Sequence, residues 1–146
     1  MEWYFASRVK HKDKVQDLSD FLKSHDHEVA YEWSKLGTLK PYHENSEQCS
    51  SIANDISSAL KGVDVFVLIS DQGGTDMFVE MGIAIGCYLH NYKTRIYAIG
   101  KFNDRSLMHF NTVIKRVDYL RDVFSMECPE LLNKLDSSLL EYFDKM

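Results

Sequence analysis

Apolar, β-rich stretches separated by helix-length amphipathic stretches predict an α/β sandwich on a mostly parallel sheet. Two observations carry this reading. "VDVFVLIS" (Val63 to Ser70) is a nearly continuous, valine-rich apolar run, as expected of a strand covered on both faces. The other candidate strands alternate with helical periodicity along a chain of 146 residues, 45% apolar, a size that suits one domain with a real core.

Taken in order, "EWYFAS" (Glu2 to Ser7) is short, aromatic and apolar, and is expected to be the first buried strand. Val15, Leu18, Phe21 and Leu22 then recur at helical spacing in "HKDKVQDLSDFLKSH". "HEVAYEW" (His27 to Trp33) alternates and is β-rich, predicting a second strand. "SKLGTLKPYHENSEQ" holds Gly37, Pro41 and a polar cluster, the signature of a long loop, and loops of that length are often functional. Ile52, Ile56, Ala59 and Leu60 mark one helix face, ended by Gly62. After Val63–Ser70, the stretch "SDQGGTDMFVEMGIAIG" predicts a glycine turn and a helix in which Thr75 is a good N-cap. "TRIYAIG" (Thr94 to Gly100) is a fourth strand, "RVDYL" (Arg116 to Leu120) a weaker fifth, and "CPELLNKLDSSLLEYFDKM" a closing helix with Pro129 in its first turn. Right-handed crossovers would place helices on both sheet faces. The expected architecture is thus a flavodoxin/Rossmann-like three-layer sandwich with a mostly parallel five-stranded sheet, in a single domain over residues 1–146.

Charge and composition narrow the function classes. With 17 basic and 22 acidic side chains the net charge is −5, which argues against a nucleic-acid backbone as partner, whereas a small phosphorylated ligand needs only one local anion site. Cys49, Cys87 and Cys128 are odd in number and lack a CxxC pair, so neither a disulfide framework nor a zinc site is expected. No HExxH, GxSxG or GxxxxGK[ST] motif occurs, and no metal or other cofactor is expected. "MEWYFASRVK" does not read as a signal peptide and no apolar run has membrane-span length, so a soluble, cytoplasmic protein is the expectation.

Ligands of such sheets bind beyond the carboxyl ends of the strands. Glu80 lies about one turn into the helix after the central strand, on a stripe with Met77, Met81, Ala84 and Tyr88. Periodicity leaves two readings: a solvated helix residue, or a carboxylate held at the mouth of the sheet as a nucleophile. Asp55 could converge with it as a second carboxylate, or be a helix-surface aspartate. Asp71 suits either a ribose hydroxyl or a turn, while Asp76 complements the positive end of its helix. Tyr4 and Trp33 could sandwich a planar base or belong to the core. Ser7 and Arg8 could hold a phosphate or hydroxyl, and His43 in the long loop is a candidate lid residue.

"YFAS", "ANDISSALKGVDVFVLIS" and "GGTDMFVEMGIAIG" together resemble, in order and spacing, the nucleoside 2-deoxyribosyltransferase family, which includes deoxynucleotide and cytidylate N-glycosidases. The resemblance spans roughly Trp3 to Gly100, with Glu80-Met81-Gly82-Ile83-Ala84 as its strongest element. It implies cleavage or exchange of an N-glycosidic bond in a nucleoside or nucleotide, with Glu80 as nucleophile, Tyr4 orienting it and Asp55 contacting the base. Ser7 and Arg8 fall where phosphate-using members gather phosphate ligands, and Asp71, Gly74, Thr75 and Asp76, in the turn before Glu80, are expected with Trp33 among the substrate-binding residues. The resemblance also implies a homodimer or larger homo-oligomer, with Met108 in "SLMHFN" (Ser106 to Asn111) offered to a neighbour's site, and a free base as a possible second substrate. Six residues before Glu80, where family transferases have aspartate and nucleotide hydrolases serine, this chain has Gly74. Two other functions compete: a glutamate-dependent NAD glycohydrolase, and a nucleotide-binding module without turnover.

Overall fold

The computed structural model describes residues 1–146. Its strands are β1 (Glu2–Ala6), β2 (Glu28–Val29), β3 (Val65–Ile69), β4 (Arg95–Ile99) and β5 (Ile114–Val117), and its helices are α1 (Lys12–Lys23), α2 (Ser46–Ala59), α3 (Asp76–Asn91), α4 (Leu120–Glu127), α5 (Pro129–Leu132) and α6 (Ser137–Asp144). All strands pair in parallel, in the order β2-β1-β3-β4-β5. The α/β sandwich expected from the sequence is therefore the fold. The order reverses between β1 and β3, so a crevice opens beyond their carboxyl ends, where open α/β sheets bind ligands.

Period-2 burial builds two cores. Trp3, Phe5, Val65, Val67, Tyr97 and Ile99 point to one face and pack on α1, α4 and α6 through Leu18, Leu22, Phe124 and Phe143. Tyr4, Ala6, Phe66, Leu68, Ile96 and Ala98 point to the other and meet Met77, Met81, Ala84 and Ile85 of α3. The register sets Tyr4 beside Phe66, with their rings stacked at 5.8 Å between centroids. This parity puts the Tyr4 hydroxyl on the α3 side of the sheet, which is also the side of Glu80.

Several boundaries differ from the sequence expectation. The second strand is two residues long, and Trp33 lies on a 3₁₀ turn (Trp33–Lys35), because its indole N–H donates to the Phe5 carbonyl at 2.6 Å and pulls the chain over β1. The fifth strand runs earlier, Ile114–Val117, and Leu120 opens a helix in which Leu120, Val123 and Phe124 are buried. The closing segment is two helices: α5 starts on Pro129, as expected, and α6 restarts where Asp136 accepts the Ser138 N–H at 3.1 Å. Thr75 does occupy the N-cap position of α3, but its side chain makes no capping hydrogen bond. No helix is long and apolar enough to cross a membrane. The three cysteines are free thiols.

Helix α2 buries none of its residues against the sheet. Its apolar stripe lines a cavity, with Ile56 also packed against the second core.

Candidate active site

The cavity, about 530 Å³, opens beyond β1 and β3. Ser7, Val9 and Lys12 reach it from the segment after β1, and Asp76, Val79 and Glu80 from the start of α3. Its outer wall is the loop from Trp33 to Tyr42, together with Cys49, Ile52, Ala53 and Ile56 of α2. A second depression, about 470 Å³, lies beside α6 and holds none of the groups at the sheet end.

Glu80 is only partly accessible, through the cavity, while protein crowds it on its other sides. Burial pushes its carboxyl up to about 8, the Asp76 charge one turn earlier adds to the rise, and the Tyr4 hydroxyl opposes it. Neither the positive end of α3 nor Tyr4 keeps this carboxylate low, because desolvation outweighs both. The helix-end field fades within the first turn, where Asp76 rather than Glu80 sits, and no cation pairs with Glu80. Tyr4 is fully buried, and its hydroxyl has no hydrogen bond of normal geometry. It nonetheless lies near enough to Glu80 for each to alter the other's titration, and burial followed by the Glu80 charge drives the phenol strongly upward. The pair is poised rather than closed.

Trp33 is half-buried beside these groups. Its N–H is spent on Phe5, so it offers the cavity carbon surface only. Ser7 lines the cavity, with its hydroxyl donating to the Arg8 carbonyl at 3.0 Å. Asp76 lines it too, in an exposed position.

Other candidates are placed elsewhere. Asp55 is exposed on α2, outside the cavity lining, and its charge is felt by Tyr31 rather than by Glu80. Asp71 is buried and held by Arg8, Lys10 and His11, so it is not free for a ribose hydroxyl. Arg8 is turned toward Asp71, away from the cavity. Gly74 has φ of +102°, and a Cβ there would come within 2.8 Å of Met77 Cε, so the turn needs glycine. Thr75 is exposed at the cap, and His43 is exposed without facing the cavity. Met108 sits on a 3₁₀ turn (Leu107–Phe110), 47% exposed and outside the lining.

Sequence reasoning did not single out Lys12, Lys40, Tyr42 or Cys49, all of which line the cavity. The length of the loop was the available signal for Lys40 and Tyr42. No three His, Cys, Asp or Glu side chains gather as a metal-ligand cluster.

No known protein family matches the sequence, and no curated protein does. Among solved structures, the chain is similar to the CMP N-glycosidase BcmB of Clostridium botulinum. They are 17% identical, with a TM-score of 0.54, over 90% of this chain and 99% of that one. At that identity the likeness establishes a shared fold.

Proposed function

We propose that this chain breaks the N-glycosidic bond of a nucleoside or nucleotide, with Glu80 as the nucleophile. The observation that carries the reading is a crowded carboxylate facing a buried, unpartnered tyrosine hydroxyl at the switch point of a parallel sheet, in a cavity of nucleotide size. The fold shared with a CMP N-glycosidase supports it, as do the three sequence segments that resemble the nucleoside 2-deoxyribosyltransferase family.

In this reaction the bond from the anomeric carbon to the base nitrogen breaks, and the base leaves with the electron pair. Positive charge grows on the sugar ring, and the Glu80 carboxylate stabilises it before an Oε bonds to the anomeric carbon. Water, or a second base, then attacks that carbon, the bond to Glu80 breaks with its electron pair returning to the carboxylate, and the attacking group gives up a proton to solvent. Only ionised Glu80 can attack, so the rate climbs as pH approaches about 8. Closure of the Tyr4 hydroxyl onto Glu80 favours the charged form. Trp33 supplies surface for a planar base, and Lys12 and Lys40 supply positive charge at the cavity wall.

Self-association accompanies this reading. The outward face of α3 exposes Leu89 and the adjacent Tyr92, Gly82 and Gly86 leave open space there, and no residue of α2 is fully buried. We place the protein in the cytoplasm, as a homodimer or larger homo-oligomer, which light scattering on the purified chain tests.

The test of function is base release from a panel of nucleosides, nucleotides and NAD, with and without an added free base. Release from a nucleoside or nucleotide that Glu80→Ala abolishes is the expected result, and a product that forms only with added base marks transfer. Turnover that survives Glu80→Ala would remove the mechanism. Turnover of NAD alone would move the substrate to the nicotinamide class. Tight nucleotide binding with no product would make the chain a binding module.

A further inference from the structure

Asp71 sits at the tip of β3 with 5% of its surface exposed, and four donors surround it. Oδ1 accepts from Arg8 Nη1 at 3.1 Å and from the Gly73 backbone N–H at 3.1 Å. Oδ2 meets Lys10 Nζ at 2.8 Å and His11 Nε2 at 3.1 Å. A carboxylate has no proton to give, so His11 Nε2 is the donor, and because burial holds the imidazole below its ordinary pKa the ring is neutral and Nδ1 is left as the acceptor. Nδ1 lies 2.6 Å from the Tyr142 hydroxyl on α6, which therefore donates to it. With a neutral His11 the chain Tyr142–His11–Asp71 has one self-consistent proton arrangement, and it joins sequence positions 60 and 131 residues apart.

The Arg8 side chain runs along the glycine turn. A Cβ on Gly73 would fall 3.2 Å from Arg8 Cζ, and one on Gly74 would fall 3.2 Å from Arg8 Cγ. Both walls of the cavity leave from this knot. Ser7, Val9 and Lys12 interleave with the bonded Arg8, Lys10 and His11, and Asp76 and Glu80 follow directly after the turn.

We propose that Asp71 is a positioning residue of the candidate site. It fixes the wall after β1 against the start of α3, and Tyr142 on the last helix anchors it through His11. The proposal rests on Glu80 being the reacting group. It also accounts for Arg8, whose charge is committed to Asp71 rather than offered to a ligand.

Asp71→Asn keeps the shape and the acceptor for Gly73 but removes the charge that holds Arg8 and Lys10. Tyr142→Phe removes only the hydroxyl. Both are measured in the full chain, for kcat and KM on whichever substrate the unaltered protein turns over, and for amide hydrogen exchange. Displacing a reacting group by about 1 Å costs up to about 10²-fold, so kcat should fall roughly tenfold or more in Asp71→Asn and roughly threefold in Tyr142→Phe, with KM nearly unchanged. Exchange should quicken at residues 73–80 while the β3 and β4 amides keep their protection. Unchanged kcat in variants still folded at the assay temperature would overturn the proposal. So would exchange that rises uniformly or not at all. If Asp71→Asn does not fold, Tyr142→Phe and Lys10→Met decide by the same readouts. If the unaltered chain turns over nothing, the functional reading fails, and the exchange pattern alone judges whether Asp71 orders the start of α3.

Discussion

Replacing Tyr4 by phenylalanine should lower activity and leave the protein as stable as before or more so. The hydroxyl is the one group that favours the charged form of Glu80, against burial and the Asp76 charge. A hydrogen bond to a charged group contributes roughly 1.5–3 kcal/mol, and a tenfold change in an equilibrium corresponds to about 1.4 kcal/mol. Without the hydroxyl, the acid limb of the pH–rate profile should therefore move up by roughly one to two pH units. With Glu80 at about 8, roughly a tenth of it is ionised at pH 7. The variant should thus lose roughly ten- to a hundredfold in rate at pH 7 and recover most of it only near pH 10 and above. Stability at pH 7 should move the other way, because Glu80 is then mostly protonated, Tyr4 Oη is buried without a partner, and its removal relieves a desolvation cost of roughly 1–3 kcal/mol. The assay is a kcat profile from pH 6 to about pH 10 beside calorimetric melting. An acid limb that stays in place, or a Tm that falls by several degrees, would refute this account of the Tyr4–Glu80 pair.

Further expectations concern the same cavity. Because the folded chain raises Glu80 from 4.5 to about 8, its contribution is full below about 4.5 and is lost as pH climbs through about 8. Melting curves should therefore show Glu80→Gln stabilising the protein at pH 8, by up to ~3–5 kcal/mol, and having little effect at pH 4; equal effects at both would contradict it. Trp33→Leu loses the bond to Phe5 and the flat surface, so nucleotide affinity measured by calorimetry should weaken roughly 5- to 100-fold. Asp55→Ala should keep base release within about threefold, as an exposed side chain outside the cavity contributes little. A hundredfold loss there would require α2 to move inward when substrate binds.

Burial made the fold legible. "VFVLI" is apolar at every position because both faces of β3 are covered, and Met77, Met81 and Ala84 mark the inward stripe of α3. Glu80 could be placed at the mouth of the sheet for the same reason. Its titration could not, since that depends on how closely Tyr4 and Asp76 approach it and on the lack of a paired cation. Trp33 was misplaced on a strand because alternation in "HEVAYEW" says nothing of the bond its indole makes 28 residues back. Asp55 was set against Glu80 although the stripe of α2 that faces the cavity runs through Cys49, Ile52, Ala53 and Ile56, leaving Asp55 outward. The ties from Asp71 to Lys10 and His11 cross some 60 residues and leave no local pattern.

The most direct test of the account is whether Glu80 itself becomes bonded to the sugar. Turnover would be quenched in acid during the first cycle, and the peptide carrying Glu80 weighed by mass spectrometry. The account predicts a fraction of that peptide heavier by the glycosyl group, with fragmentation placing the addition on Glu80 and none of it formed by Glu80→Gln. Rapid turnover with the Glu80 peptide unmodified throughout, or with the sugar on Asp76, would contradict it.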